Sequence, residues 1–169
     1  MPSEITVAQF RSFRRRTTLE LRPLTLLYGP NNVGKSALLR LLPLLGDSVA
    51  AGATVPLVLS GAAGRGAMFS DCIWNGPRAS DEVPFITVAI HWKGIPVIGR
   101  VEYEIHTTGS SRNVAQTPIV RALSAWSPAG DLLWRAQRQV KDDENPASDL
   151  QFSVRTSPNR SRGTTTDKS

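Results

Sequence analysis

The chain opens with alternating hydrophobic and polar positions, which then give way to an apolar run. Residues 5–10 and 17–21 alternate, which predicts two short strands, and the basic residues 11–16 between them predict a turn. Residues 24–28 are apolar at almost every position. Such a run is typical of a central strand covered on both faces, so we expect these residues to lie inside a sheet.

A helical pattern follows at residues 37–45, which are rich in leucine. Pro43 within this run and Gly46 after it indicate that the helix kinks or ends early, because proline cannot donate the backbone hydrogen bond of a continuing helix. Residues 52–76 are rich in Gly, Ala and Ser. They predict a loop with one short strand at residues 55–59.

Alternation with a period of two dominates the next part of the chain. Residues 86–92 and 101–107 each place apolar side chains on one face and polar side chains on the other, which predicts two strands. Residues 127–131 contain proline, glycine and aspartate and predict a turn. This turn joins residues 119–126 to residues 132–139 in a predicted hairpin.

The pattern divides the chain into one lobe and a short C-terminal part. Residues 1–140 form the predicted lobe, and residues 141–156 are interpreted as a linker with one short strand at residues 151–155. Residues 157–169 contain nothing apolar to bury and are predicted to be disordered. A length of 169 residues suits one domain with a real core.

Composition limits the compartment and the partners. No apolar stretch approaches the roughly 20 residues that span a bilayer, and the N-terminal residues do not resemble a signal peptide. Cys72 is the single cysteine, so we expect a reducing cytoplasm. The net charge of +6 comes from 16 Arg and 4 Lys against 14 acidic residues, which favours phosphate-rich partners.

Between the apolar run and the helical pattern lies a sequence of the form G-x-x-x-x-G-K-S. Its residues are Gly29, Pro30, Asn31, Asn32, Val33, Gly34, Lys35 and Ser36, followed by Ala37. Strand, loop and helix in this order are the context in which the pattern forms a phosphate-binding loop, or P-loop. Taken singly, the first four residues also suit an ordinary turn, and Ser36 a helix cap.

Each residue type in the pattern has a chemical reason. Gly29 and Gly34 permit backbone angles that turn successive N–H groups toward an anion. The start of the helix adds unpaired N–H groups and the positive end of its dipole. We expect Lys35 to reach the β- and γ-phosphates and the Ser36 hydroxyl to ligate Mg²⁺.

The N-terminal quarter resembles the opening of ATP-binding-cassette-type AAA ATPases. The resemblance lies in Phe10-Arg11-Ser12-Phe13, in the strand with Leu19 and Leu21, and in the segment from Pro23 through the P-loop to Leu39. This family includes relatives of RecF, of the structural-maintenance-of-chromosomes heads and of the OLD nucleases of phage defence. A weaker similarity covers residues 57–71.

The resemblance implies an α/β fold, a P-loop NTPase lobe with a mixed sheet and an antiparallel β-subdomain. It also implies ATP and Mg²⁺ as cofactors, engagement of a second ATPase head, and a role in DNA repair or phage defence. Carried over by position, Arg11 and Ser12 would lie near the nucleotide, and Asn31 and Asn32 would line the P-loop.

Two motifs of the family are missing. A Walker B strand, which is four apolar residues followed by Asp-Glu, is not found, and the nearest run ends at Asp47 without a second acid. Residues 59–62 superficially resemble the signature sequence, but they come too early in the chain. The sequence therefore predicts an ATPase lobe that a C-terminal lobe or a partner polypeptide completes, or else a non-catalytic nucleotide-binding module.

Other sites and classes have weaker support. His91 and His106, near Glu102 and Glu104, are interpreted as part of a solvated sheet face. The basic run of residues 14–16 is a possible contact for DNA phosphates, although such runs are usually solvated. The four tryptophans suit a core or an interface better than base stacking. A GTPase would need an N-K-x-D motif and a small-molecule kinase would need βαβ repeats, and neither is present.

Overall fold

The computed structural model describes residues 1–50, 55–76, 85–108, 117–139 and 151–156. The two helices and seven strands in this part of the chain are β1 (Pro2–Ala8), β2 (Thr17–Glu20), α1 (Lys35–Val49), α2 (Phe69–Cys72), β3 (Ile86–Trp92), β4 (Arg100–Thr108), β5 (Thr117–Trp126), β6 (Leu132–Gln139) and β7 (Gln151–Thr156). The predicted disordered tail lies outside the described residues.

The strands form one sheet in the order β2-β1-β3-β4-β5-β6-β7. Every neighbouring pair is antiparallel. The strands predicted from alternation are confirmed, including the hairpin of β5 and β6, whose turn is closed by a hydrogen bond from Ser127 N to Asp131 O at 2.8 Å. Period-two patterning located these strands because one face of the sheet is buried.

The predicted α/β class with a mixed sheet is wrong. The described strands make a purely antiparallel sheet, and helix is confined to α1 and the four-residue α2. The mixed sheet depended on a central strand at residues 24–28, and these residues form no strand. The expected short strand at residues 55–59 is also absent, and turns occupy most of residues 55–66.

Residues 24–28 instead run along the surface. Leu24, Leu26 and Tyr28 are 76%, 77% and 94% exposed. The continuous apolar pattern of residues 24–28 indicates that these side chains favour burial. A strand also needs neighbouring strands that form hydrogen bonds with its backbone groups. The described part of the chain supplies no such neighbour, so an apolar segment beside the P-loop is left in solvent.

Helix α1 continues through Pro43 to Val49, so the predicted early end is wrong. Pro43 lies on the exposed side of the helix, where water can satisfy the carbonyl group that loses its partner. Near the helix end the Ser48 hydroxyl donates to Leu44 O at 2.6 Å and accepts from Val58 N at 2.9 Å. The hydroxyl thereby attaches the following segment to the helix.

The core joins one face of the sheet to one side of α1. Ala37, Leu41 and Leu44 recur at helical spacing and are buried. They belong to one cluster with apolar residues of the central strands and of the segment around α2, namely Ile5, Val7, Phe10, Leu57, Phe69, Cys72, Ile73, Ile86, Val88 and Ile105. The P-loop therefore lies directly before a helix that the core holds in place.

Candidate nucleotide-binding site

The P-loop connects the exposed residues 24–28 to the first turn of α1. Its backbone has positive φ angles at Gly29 (144°), Asn32 (65°) and Gly34 (99°). Positive φ is readily adopted by glycine and tolerated by asparagine. Positive φ angles of this kind occur in anion-binding nests, in which successive N–H groups turn toward a common point.

The turn between β1 and β2 packs against the base of this loop. A Cβ atom added to Gly34 would lie 2.6 Å from Cζ of Phe13 and 3.3 Å from Cβ of Ser12. The turn is itself fixed by paired backbone hydrogen bonds between Phe10 and Phe13, at 3.0 and 2.8 Å. Ser12, which the resemblance placed near the nucleotide, thus lies beside the P-loop. Phe13 was given no role by sequence reasoning, because an aromatic residue before a basic run has no distinctive pattern.

Lys35 folds back onto the loop. Its Nζ donates hydrogen bonds to Gly29 O and Pro30 O, both at 2.6 Å. These bonds connect the two ends of the loop and fix the position of the ammonium group. A phosphate placed in the nest would meet a cation whose position is already fixed.

The N-terminus of α1 offers its first amide groups to a ligand. Gly34 is the N-cap and has no side chain to cap the helix. Ala37 N and Leu38 N donate to Gly34 O at 3.0 and 3.1 Å, so the helical bonding begins with these two amides. The preceding amides lie at the positive end of the helix dipole, where an anion is stabilised. Ser36 is exposed at the same place.

Arg11 contacts helix α2. Its backbone N donates to Cys72 O at 2.8 Å, and its guanidinium lies 6.0 Å from the centre of the Phe10 ring. Burial raises the pKa of the Cys72 thiol, and the charge of Arg11 opposes that rise. In the part of the chain described, these contacts tie Arg11 to α2, and its role toward a nucleotide stays a prediction.

Three acidic residues are candidates for the catalytic acid of an ATPase, and each lies away from the P-loop or is bonded to another group. Asp47 lies 12 residues after Lys35 in the same helix, which is about 18 Å along the axis. The Asp71 carboxylate accepts from Met68 N at 2.8 Å and caps α2. Glu102 is paired with Arg16. Among the described residues no group of three or more His, Cys, Asp or Glu could hold a metal ion.

Residues 59–62, which superficially resemble a signature sequence, form part of a compact turn. Gly66 N donates to Leu59 O at 2.9 Å, and Arg65 N donates to Gly61 O at 2.8 Å. A Cβ on Gly61 would lie 2.8 Å from the Asp47 carboxylate, so the turn packs against the C-terminal half of α1. This position is remote from the P-loop at the other end of the helix.

The histidines lie in different environments. His91 is half-buried and lies 3.4 Å from the Thr6 hydroxyl. His106 is 5% exposed and stacks on Phe85 at 5.4 Å, so the expectation of a solvated face is wrong for it. His106 lies on the same face of β4 as Glu102 and Glu104, because β4 pairs with β3 without a register shift, and the Phe85 ring covers it there. Neither glutamate named with the histidines is salt-bridged to them, since Glu102 pairs with Arg16 and Glu104 pairs with Arg135 at 2.9 Å.

Two of the three arginines in the basic run at residues 14–16 have described side-chain contacts. The guanidinium of Arg14 lies 4.8 Å from the centre of the Trp74 ring, and Arg16 forms its ion pair across the sheet. The contact with Trp74 leaves the charge of Arg14 in place, and exposed side-chain ion pairs are weak, so a contact of this run with DNA phosphates stays a prediction. Trp74 here packs against arginine, which suits the predicted interface role better than base stacking.

A scan against models of protein families, a search of curated proteins and a search of solved structures each found no match. Within the described residues, no helix is long and apolar enough to cross a membrane.

Proposed function

We propose that the chain binds ATP with Mg²⁺ at the P-loop and serves as the nucleotide-binding lobe of an ABC-type AAA ATPase related to RecF and the OLD nucleases. The observation that carries the proposal is the agreement between sequence and backbone at residues 29–36. The sequence pattern alone predicts a P-loop, and the positive φ angles at its glycines support the anion-binding conformation.

The position of Lys35 supports a phosphate ligand. Its ammonium group is bound only to carbonyl oxygens of the loop among its described contacts, so it carries no compensating negative charge. A nucleotide would supply that charge through its β- and γ-phosphates. The amides at the start of α1 would bind the same phosphates, and the hydroxyl of the exposed Ser36 would ligate Mg²⁺.

The surface around the loop supports an incomplete ATPase. Leu24, Leu26 and Tyr28 are exposed immediately before the P-loop, and Leu39 on α1 is 58% exposed. Exposed apolar residues that follow one another along the chain, as at residues 24–28, are typical of an interaction surface. We therefore propose that a second ATPase head or a C-terminal lobe covers this surface and supplies the acid that aligns the attacking water.

A non-catalytic nucleotide-binding module is the second candidate. Three candidate acids favour it, because none of them is described at the P-loop. Asp47 lies beside Gly61, Asp71 caps α2, and Glu102 pairs with Arg16. Such a module would bind ATP and report its presence without hydrolysing it. The two candidates share the same binding site and differ in whether a partner restores turnover.

Calorimetric titration of ATP with Mg²⁺ into the wild-type chain and into Lys35→Ala tests the binding site. We expect Lys35→Ala to weaken ATP binding by about tenfold or more, because it removes a charged hydrogen-bond donor to the phosphates. Arg40→Ala is the matched control, since it removes one positive charge from the same helix about 7.5 Å further along its axis. Equal losses in the two variants would show that only net charge matters and would contradict the P-loop assignment.

Ser36→Ala tests the metal ligand separately. We expect this variant to bind ATP almost normally without Mg²⁺ and to lose most of the gain in affinity that Mg²⁺ gives the wild type. Titrations with and without the metal provide the comparison. If both are weakened to the same extent, Ser36 acts on the helix and not on the metal ion.

A further inference from the structure

A cleft lies at the end of the sheet away from the P-loop. It has a volume of about 440 Å³ and is lined by the ends of β1, β3, β4 and β5 and by the turn that follows β5. Strand β1 starts at the cleft and runs about 20 Å to Ala8, before the turn that packs on the P-loop. The two sites are therefore separate.

Backbone pairing builds a row of side chains across this end of the sheet. Directly paired residues project to the same face. The row consists of Glu4, His91, Arg100 and Trp126, which are paired in that order across β1, β3, β4 and β5. Gly99 permits the turn after β5 to approach closely, because a Cβ there would lie 2.7 Å from the Pro128 Cα.

Arg100 is the distinctive member of the row. Its Cζ lies 3.7 Å from the centre of the Trp126 ring, so the indole fixes the guanidinium by a cation–π contact. Its Nε is buried and has no hydrogen-bond partner in the structure. Contact with a ring uses the face of a guanidinium and leaves its N–H edges for a ligand. A buried donor without an acceptor is rare and requires an explanation.

The nearby carboxylates do not supply that acceptor. Glu4 pairs with Lys93 at 3.3 Å, and Glu102, two residues along β4 from Arg100, pairs with Arg16. The cleft thus holds the cations of Arg100 and Lys93 against the single carboxylate of Glu4. This excess of positive charge selects an anion.

We propose that this cleft binds a phosphate group of a nucleotide or of a single-stranded nucleic acid, with Arg100 as its main ligand. A planar guanidinium whose Nε has no hydrogen-bond partner matches the oxygens of a phosphate. The flat guanidinium and indole beside it provide a surface on which a base stacks. The proposal is independent of ATP binding at the P-loop.

The test uses the full chain carrying Lys35→Ala, so that the P-loop does not compete. A thymidine monophosphate and a single-stranded oligothymidylate of about eight nucleotides are titrated, with the Trp126 indole N–H resonance as the readout. We expect one or both ligands to shift this resonance. Tighter binding of the oligonucleotide identifies a polynucleotide as the ligand, and equal binding identifies a free nucleotide.

Arg100→Lys and Arg121→Gln form the matched pair of variants. Arg100→Lys keeps the charge but loses the planar fork, and we expect at least a tenfold loss of affinity, which is about 1.4 kcal/mol. Arg121→Gln removes an exposed charge about 17 Å along β5 from Trp126, and we expect less than a twofold loss. Equal losses, an unshifted Trp126 resonance, or tighter binding of an acidic peptide than of the oligonucleotide would each overturn the proposal. If Arg100→Lys does not fold, the Trp126 resonance in the Lys35→Ala chain decides alone.

Discussion

The buried His106 makes the stability of the fold depend on pH. Burial, with a smaller contribution from the charge of Arg121, lowers the pKa of His106 from 6.5 to about 4. The unfolded chain therefore binds a proton near pH 6.5 that the folded chain accepts only near pH 4. Because the unfolded state binds more protons in this window, the free energy of unfolding falls as the pH falls from 6.5 toward 4.

We expect the urea midpoint of the wild type to be lower at pH 5 than above pH 6.5, and His106→Leu to reduce this difference. Burial also lowers the pKa of His91, so part of the pH dependence remains in the variant. His91→Gln is the control and should remove the smaller part, since His91 is only half-buried. A wild-type pH dependence in His106→Leu would contradict a neutral, buried His106.

At the scale of single residues, the sequence predicts a role where a residue type is tied to one chemistry. Gly34 and Lys35 belong to a pattern whose spacing predicts their roles. The positive φ of Gly34 agrees with that pattern, and phosphate binding stays a prediction. His106 was expected to be solvated because alternation gives the face of a strand correctly but does not show that Phe85 covers this position. Arg100 was missed for a different reason, since its contact with Trp126 depends on strand register.

At the scale of elements, two glycines at α1 should respond in opposite ways to the same substitution. Gly34 precedes the helix with φ of 99°, and a Cβ there would meet the Phe13 ring at 2.6 Å. Gly46 lies inside α1 and has nothing within 4 Å of an added Cβ. We expect Gly34→Ala to reduce the free energy of unfolding by about 1–3 kcal/mol and to weaken ATP binding. We expect Gly46→Ala to increase it by about 0.5–1 kcal/mol.

Urea unfolding measures the free energy of unfolding of both variants, and each variant serves as the control for the other. A stabilised Gly34→Ala would mean that the P-loop does not hold the described conformation. A destabilised Gly46→Ala would mean that the helix does not continue past Pro43, since a glycine outside a helix gains nothing from helix propensity.

The elements themselves were predictable to different extents. The strands from β3 to β6 were located because alternation and turn residues are local signals. Residues 24–28 were wrongly predicted to be a strand. Their apolar pattern indicates a preference for burial, but it does not show whether neighbouring elements are present to cover them. Their exposure is the feature of the fold that most favours a partner at the P-loop.

At the scale of the whole molecule, the fold class followed from the resemblance and was wrong for that reason. The resemblance covers about a quarter of the chain, from residue 4 to residue 45, and its mixed sheet needs a parallel strand at residues 24–28. The described remainder is an antiparallel meander joined to β1 through β3. Pairing between distant strands is set by the complete set of strands, so a local similarity does not determine it.

The arrangement of the whole molecule also determines what the isolated chain can catalyse. Phosphoryl transfer needs a positioned water and neutralised charge in addition to a phosphate-binding loop. Here Lys35 and Ser36 adjoin the loop. The candidate acids do not: Asp47 lies beside Gly61, Asp71 caps α2, and Glu102 pairs with Arg16. We therefore expect the purified chain to bind ATP and to hydrolyse it no faster than a Lys35→Ala control.

Phosphate release measured with purified chain tests this expectation, and adding a C-terminal lobe or partner ATPase head should raise the rate in a Lys35-dependent way. Such a rise separates an incomplete ATPase from a non-catalytic module, in which a partner changes nothing. Lys35-dependent turnover of about 1 s⁻¹ or faster by the chain alone would show that one of its own acids reaches the P-loop. Asp47→Asn, Asp71→Asn and Glu102→Gln would then identify that acid, because only one of the three variants should lose the activity.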